Sequence, residues 1–235
     1  IDSTGNDNDG TSQGSMTSED LVDGKIGKAL DFDGSNNSIR RAGLSLSTRG
    51  SFTLEAIVKL SQSGVKQRLV TLEDATAPDN GPQFFIRIDT SNFAQVFSRG
   101  HENDTFAIVT DDVDLNDATY HFIAGTINGD IGKAELFVAG VSQGSVTQSQ
   151  FTSDTMPDIV LGSFLGDLNE QFLKGVIDEV RISNIIRSAE WIKASRNNQF
   201  SPGTFVIEGT PATPGGAAPT SIFYGPLVGP FGGPI

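Results

Sequence analysis

Apolar and polar residues alternate over many short stretches of the chain, and clusters of Gly, Asn, Asp and Pro separate these stretches. In residues 52–60, for example, the apolar Phe52 and Leu54 alternate with the polar Thr53 and Glu55. Successive side chains of a strand point to opposite faces, so this alternation predicts a strand. The same criteria predict strands over residues 28–32, 52–60, 68–72, 84–88, 94–98, 106–110, 120–127, 134–139, 159–164, 172–183 and 204–208. Many short strands with almost no helical periodicity predict an antiparallel β-sandwich.

One short helix is predicted after the strand that ends near residue 183. Ser188 is a good N-cap residue, and Glu190 lies in the first turn, where a negative charge interacts favourably with the helix dipole. Trp191 and Ile192 give the helix an apolar side, and we expect it to end near Asn197.

The strand over residues 175–183 contains a carboxylate among aliphatic residues. Strict alternation places Val176, Asp178, Val180 and Ile182 on one face. A buried and unpaired carboxylate is costly, so Asp178 needs a cationic side chain, a metal ion or several backbone N–H donors. The pattern alone leaves these three alternatives open.

Composition and charge narrow the classes of partner. The chain carries 16 Lys and Arg against 29 Asp and Glu, a net charge of -13, which disfavours nucleic acid as a partner. There is no cysteine, so disulfides, thiol catalysis and thiolate metal sites are excluded. No apolar run is long enough to span a bilayer, and we expect no membrane insertion. The first residue is Ile, so the chain is expected to be a processed or truncated product of a longer one.

The two ends of the chain differ in composition from the middle. Residues 1–24 are rich in Asp, Asn, Ser and Gly and are predicted to be loop with turns, whereas residues 209–220 form a Pro/Gly/Ala linker. Residues 221–235 are apolar but contain Pro and Gly, which exclude a helix. This tail either folds back on its own sandwich or docks on a neighbouring subunit. The predicted contact residues are Ile222, Phe223, Tyr224, Leu227, Val228 and Phe231.

Several segments resemble, in the right order, the motifs of laminin-G-like jelly rolls of the concanavalin A-like lectin/glucanase superfamily. They are residues 2–11, 24–37, 52–56, 120–126, and 175–183 with the following 187–192. The resemblance covers residues 1 to about 208 and implies one jelly-roll domain over 1–208. The chain departs from the family pattern in two ways: it starts at the opening turn, so that the family's first strand is apparently missing, and its apolar tail is not part of the pattern. Ile57 also stands where Trp is usual.

The resemblance implies a structural calcium ion, because related sandwiches often carry one at this place. Calcium takes carboxylate and carbonyl oxygens as ligands. The matching positions are Asp178 in the closing strand, with Asp2, Asn6 and Asp33 as companions. The alternative is that Asp178 pairs with Arg or Lys, or accepts backbone hydrogen bonds.

The resemblance also makes glycan binding the usual expectation. Loops that would border a concave face carry Asn80, Gln83, Asn92, His101 and Asn103, which are the predicted ligand-binding residues. A sugar site generally needs an aromatic platform, and here the sequence offers few candidates. We expect Trp191 to pack the helix, Tyr120 to begin a core strand and most Phe residues to lie in the core.

No enzymatic activity is expected. Some members of the superfamily are glycosidases with two or three acidic residues at alternate positions of one strand, because paired carboxylates carry that chemistry. The chain has no Glu-x-Asp-x-Glu run. Its densest acidic segments, residues 102–104 and 111–114, are predicted to be loops.

Taken with the apolar tail and the missing strand, the resemblance predicts a non-enzymatic structural or adhesion module of an extracellular or virion assembly. Its partners would be neighbouring subunits, reached through the C-terminal tail, and calcium would brace the fold. The alternative is a calcium-dependent, lectin-like module of a secreted or surface protein that binds carbohydrate. An assembly subunit buries residues 221–235 against another chain, whereas a lectin-like module keeps a polar and aromatic concave face open.

Overall fold

The computed structural model describes residues 8–47, 49–74, 83–99, 107–147, 155–164 and 171–205. These residues form sixteen strands, one short 3-10 helix (Ser18–Asp20) and two α-helices. The strands are β1 (Thr11–Gln13), β2 (Leu21–Asp23), β3 (Lys28–Asp33), β4 (Ser38–Arg41), β5 (Leu46–Ser47), β6 (Ser51–Leu60), β7 (Gln67–Glu73), β8 (Gln83–Ile88), β9 (Ala94–Arg99), β10 (Ala107–Thr110), β11 (His121–Asn128), β12 (Lys133–Val138), β13 (Val141–Thr147), β14 (Thr155–Met156), β15 (Asp158–Leu161) and β16 (Lys174–Ser183). The α-helices are α1 (Ala189–Phe200) and α2 (Pro202–Phe205).

Two antiparallel sheets of seven strands each face one another, which confirms the predicted β-sandwich. Sheet A has the strand order β1-β4-β15-β7-β8-β9-β10, and sheet B has the order β13-β12-β11-β6-β16-β3-β2. The short strands β5 and β14 pair only with each other. Strands adjacent in space are often distant in sequence, as in a jelly roll, where the chain crosses repeatedly between the two sheets.

The core lies between the two sheets and follows from the alternation in the sequence. In β6, Phe52, Leu54 and Val58 point inward and are buried against residues such as Phe84 and Ile86 of β8. The rings of Phe52 and Phe84 meet edge to face, with centroids 5.6 Å apart. Removing this continuous apolar layer from water is the main favourable contribution to folding.

Most predicted elements are confirmed, with boundaries that differ by at most three residues. The structure adds β4 and β13, where polar residues interrupt the alternation, and β1 and β2 within the segment predicted to be loop. The strand predicted over 204–208 is wrong at its start, because residues 202–205 form α2. The linker at 209–220 and the tail at 221–235 lie outside the described residues.

The prediction that Asp178 shares a face with Val180 and Ile182 is wrong. The pairing of β16 with β6 shifts between Asp178 and Arg181, and Glu179 adopts a φ of 47°, so a β-bulge interrupts the strand. Val180 and Ile182 consequently pack against the core, whereas Asp178 lies opposite Ile57 on the outer face of sheet B.

Helix α1 begins and ends close to the predicted residues and lies on the outer face of sheet B. The Ser188 side chain accepts a hydrogen bond from the Trp191 N–H at 3.3 Å, which confirms the predicted N-cap. Ile192 is buried against Ile57 and Phe122 of sheet B. In the part of the chain that the structure describes, no helix is long and apolar enough to cross a membrane.

Candidate functional site

The outer face of sheet B is covered and offers no open surface near its centre. Ile57, Phe122 and Phe137 on this face pack with Ile192 of α1 into a second apolar cluster. No described helix covers the outer face of sheet A, which is buried near β7 and becomes exposed toward β10. Sheet A therefore carries the candidate surface for a functional site.

Two copies of one motif, Gln-x-Phe-x-Arg, occupy neighbouring strands of sheet A. The first covers residues 83–87 in β8 and the second covers residues 95–99 in β9. The strands pair antiparallel with Phe85 opposite Phe97, so that each Arg faces the Gln of the other motif. Directly opposed residues lie on the same face. The six motif side chains therefore form one patch on the outer face, which we call the double motif.

The centre of the double motif is a stack of aromatic rings and guanidinium groups. The rings of Phe85 and Phe97 are nearly parallel, with centroids 4.5 Å apart and an angle of 15° between their planes. The guanidinium carbon of Arg68 in β7 lies 3.3 Å from the centroid of Phe85 and 4.6 Å from that of Phe164. Such cation–π contacts hold both partners in fixed positions.

A row of hydrogen-bonded polar groups runs beside the rings. Arg87 donates from Nε to Oε1 of Gln95 at 2.7 Å. The Gln95 amide nitrogen donates to Thr110 Oγ1 at 2.9 Å and to Asp89 Oδ2 at 3.2 Å. Because Gln95 supplies the proton in its bond to Thr110, the hydroxyl proton of Thr110 is left to donate elsewhere. The row thus presents polar groups in fixed orientations.

Exposure across this face increases toward β10. The strand register aligns Thr71, Phe85, Phe97 and Ile108 in one transverse row. Phe85 is 1% exposed and Phe97 is 9% exposed, whereas Ile108 is 41% exposed. In the adjacent row Arg87 and Gln95 are half-buried and Thr110 is exposed. The accessible part of the face, which we call the β10 flank, consists of Arg87, Gln95, Ile108 and Thr110, and the buried Phe97 forms its inner edge.

The structure describes two of the predicted ligand-binding residues and does not bring them together. Gln83 is the first residue of β8 rather than a loop residue, and it is buried opposite Arg99 within the double motif. Asn92 lies in the turn between β8 and β9, as expected, where its Oδ1 accepts a hydrogen bond from the N–H of Gly64 at 3.4 Å. The two residues therefore occupy opposite ends of the β8–β9 hairpin. Asn80, His101 and Asn103 lie outside the described residues.

The first predicted calcium ligand that the structure describes, Asp33, caps its own turn. Its carboxylate accepts hydrogen bonds from the N–H groups of Ser35, Asn36 and Asn37 and from the Ser35 hydroxyl, at 2.7–3.2 Å. Burial alone would raise the pKa of Asp33, but these hydrogen bonds outweigh it and lower the pKa to about 2. Asp33 is thus held as a carboxylate by its own loop.

Asp178, the second predicted calcium ligand that the structure describes, is buried beside the turn that follows β2. Its Oδ2 accepts a hydrogen bond from the Ile26 N–H at 2.9 Å. A Cβ atom on Gly24 would lie only 2.5 Å from this oxygen, so glycine allows the turn to approach the carboxylate. A backbone N–H is one of the three partners that the sequence left open for Asp178.

The register of the sheet separates Asp33 from Asp178. Asp33 lies opposite Lys174, and Asp178 follows four residues later in the same strand, which places the two about 13 Å apart along the strand. Asp2 and Asn6 lie outside the described residues, as do all the tail residues predicted to contact another subunit. Within the described ranges, no group of three His, Cys, Asp or Glu side chains could hold a metal ion. The calcium site stays a prediction.

The structure corrects the expected positions of aromatic residues that bear on a sugar site. Trp191 is predicted to pack the helix, but it is 37% exposed and lies under the guanidinium of Arg187 at 4.5 Å. Most Phe residues are predicted to lie in the core, and Phe85 and Phe97 instead form the centre of the double motif on the outer face. The repeated Gln-x-Phe-x-Arg pattern is the signal in the sequence that identifies them.

The family of the chain follows from a sequence comparison. The family model described as concanavalin A-like lectin/glucanases superfamily (Laminin_G_3) matches residues 33–193. The match spans more than half of the 235 residues, and the chain belongs to this family. None of the curated protein sequences that were compared with the chain matches it.

Solved structures share the fold at low sequence identity. The binding domain of Paraclostridial Mosquitocidal Protein 1 superposes with a TM-score of 0.61 at 14% identity, over 77% of this chain and 46% of that one. The chain therefore spans less than half of that structure's length. Domain 4 of AbnA, an extracellular arabinanase from Geobacillus stearothermophilus solved with arabinotriose, gives 0.56 at 22% identity, over 74% and 78%. The CBM40 of a Ruminococcus gnavus IT-sialidase gives 0.55 at 13% identity, over 67% and 97%. These likenesses show the fold.

Proposed function

We propose that this protein is a non-enzymatic carbohydrate-binding module whose ligand lies on the β10 flank of sheet A. The observation that carries the proposal is the β10 flank, where the exposed Ile108 lies beside a row of polar groups that hydrogen bonds hold in fixed orientations. Domain 4 of AbnA, which has the same fold, was solved with arabinotriose, and this supports the class of ligand. An extracellular location suits such a module.

The chemistry of the β10 flank matches the two kinds of surface on a sugar ring. The C–H face of a pyranose is apolar and can pack on Ile108, whereas its hydroxyl groups need donors and acceptors around the rim. The terminal nitrogens of Arg87 and the hydroxyl of Thr110 can supply donors there. Ligand sites typically combine apolar contact with a few well-placed polar groups. Polar groups already fixed by hydrogen bonds lose little entropy on binding.

Binding to a panel of soluble polysaccharides, measured by affinity electrophoresis, tests this proposal. We expect at least one polysaccharide to retard the protein, and Ile108→Ala to weaken that binding about tenfold by removing apolar contact. Ile131→Ala is the matched control, because Ile131 is 51% exposed but lies in the β11–β12 turn of sheet B. Its substitution should leave binding unchanged. Equal losses in the two variants, or no retardation by any polysaccharide, would contradict the proposal.

Calcium remains a proposal for the region around Asp178, where the turn after β2 meets the closing strand. A bound divalent ion stabilises the folded state in proportion to its occupancy. We expect EDTA-treated protein to gain several degrees in melting temperature when calcium is added, and Asp178→Asn to abolish the gain. An unchanged melting temperature would contradict the calcium site, and the hydrogen bond from the Ile26 N–H would then be the contact that stabilises the Asp178 carboxylate.

The role as an assembly subunit depends on residues 221–235, outside the described part of the chain. It stays a prediction beside the proposed carbohydrate-binding role.

A further inference from the structure

Four arginines lie on the outer face of sheet A, although the protein as a whole is acidic. They are Arg40, Arg68, Arg87 and Arg99, and the carboxylates of Glu73 and Asp158 share this face, whereas the whole chain has only 16 basic residues and a net charge of -13. The carboxylate of Asp158 holds Arg40, with both Nε and a terminal nitrogen of Arg40 at 3.0 Å from one oxygen. The remaining three arginines surround the aromatic stack.

Arg68 is the most constrained of these arginines. It is 3% exposed, its Nε donates to Gln171 Oε1 at 2.8 Å, and its buried Nη1 has no hydrogen-bond partner. Burial lowers the pKa of Arg68 to about 9; Glu73 opposes this shift, and the positive charges of Arg87 and Arg99 add to it. A buried donor without an acceptor is unfavourable, and neighbouring positive charges make it more so. An added anion would relieve both effects.

Arg87 lies directly opposite Arg68 in the sheet and is the accessible member of the pair. Its Nε is occupied by Gln95, and its two terminal nitrogens make no other hydrogen bond within the described structure. The bond to Gln95 fixes the plane of the guanidinium group, and its carbon lies 5.5 Å from the Phe85 centroid. A planar guanidinium held in this way is suited to bidentate binding of a carboxylate.

We propose that the β10 flank binds carboxylate-bearing sugars, with the carboxylate on the terminal nitrogens of Arg87 and the field of Arg68 behind it. This inference rests on the proposed carbohydrate-binding function and names its ligand class. The overall charge of -13 repels polyanions, so affinity for an acidic sugar requires a local site rather than general electrostatic attraction. Thr110 and Ile108 would contact the rest of the same sugar ring.

Pairs of polysaccharides that differ only in the carboxylate test this inference. The probes are polygalacturonate, alginate and hyaluronan, each with its carboxyl-reduced form, together with neutral polysaccharides. Binding is measured by calorimetry in about 0.15 M salt, which screens the interactions between distant surface charges. We expect at least one acidic polymer to bind tenfold or more tightly than its reduced form. Arg87→Gln should remove that difference, so that the acidic polymer and its reduced form bind the variant equally.

Control variants and the alternative outcomes separate this inference from the proposed function. Arg49→Gln is the matched control, because Arg49 is similarly accessible but pairs with Asp130 at 3.5 Å, near the β11–β12 turn of sheet B. Arg87→Lys keeps the charge and loses the planar fork, so we expect it to recover only part of the difference. If the acidic polymers and their reduced forms bound equally well, the carboxylate site would be wrong and the proposed carbohydrate binding would stand. Failure of every polymer to bind would overturn both.

Discussion

Replacing Gly175 with alanine is expected to lower the free energy of unfolding by about 3 kcal/mol or more. Gly175 has a φ of 142°, a conformation that side-chain-bearing residues rarely adopt. A Cβ atom there would lie 2.3 Å from the backbone oxygen of Lys59 in β6. The neighbouring strand cannot move aside, because the pairing of β6 with β16 lies at the centre of sheet B. Urea denaturation measures the loss.

Gly64→Ala separates backbone strain from steric conflict. Gly64 also has a positive φ, 77°, but a Cβ atom there would meet no atom within 4 Å. We expect this control to lose only about 1 kcal/mol, the usual cost of the left-handed conformation. If the two variants lost the same amount, the close approach of β16 to β6 at Gly175 would be wrong.

Replacing Asp111 with asparagine is expected to stabilise the protein by about 2 kcal/mol at neutral pH, where it removes a buried charge. Asp111 follows β10 and is 6% exposed. Burial raises its pKa to about 6, and the nearby charges of Asp112 and Asp89 add to the shift, whereas backbone groups at Ala94 and Val113 oppose it. The ionised form is therefore unfavourable in the folded state.

The stabilisation should depend on pH in one direction. Because the folded pKa of about 6 exceeds the ordinary value of 3.8, the favourable contribution of protonated Asp111 is present below about pH 4 and is lost as pH rises to about 6. Asp111→Asn and the native protein should thus have similar stability at pH 4, and the variant should be more stable at pH 7.5. Asp130→Asn, at an exposed site, should show no such dependence. If the difference in stability between Asp111→Asn and the native protein were the same at pH 4 and pH 7.5, the raised pKa of Asp111 would be wrong.

The sandwich could be predicted from the sequence because the central strands each have one apolar face. In β6, for instance, Phe52, Leu54 and Val58 alternate with Thr53 and Lys59, and the inward face is unambiguous. Strand β13 was not predicted, because its sequence is polar and it lies at an edge, where little of it is buried. Edge strands need less apolar surface, and the periodic signal in them is correspondingly weak.

The proposed binding face could not be predicted in the same way because both faces of β8 carry a phenylalanine. Phe84 points into the core and Phe85 points outward, and alternation does not say which is which. The flanking residues do contain that information, since Gln83 and Arg87 share the face of Phe85. Alternation alone therefore cannot decide which of Phe84 and Phe85 lies in the core.

The position of Asp178 depended on a local feature that strict alternation cannot represent. A bulge at Glu179, a non-glycine residue with positive φ, moves the side chains after it to the opposite face. One added residue reverses the orientation of everything that follows. Asp178 accordingly lies beside the Gly24 turn instead of in the core.

Chemical-shift mapping of a bound oligosaccharide is the most direct test of the central claim, that the β10 flank binds carbohydrate. The ligand is an oligosaccharide cut from the polysaccharide that binds best in the panel, titrated into isotopically labelled protein. We predict that the largest shifts fall on Arg87, Gln95, Phe97, Ile108 and Thr110. Shifts centred on α1 or on the turn beside Asp178, with the β10 flank unchanged, would contradict the claim.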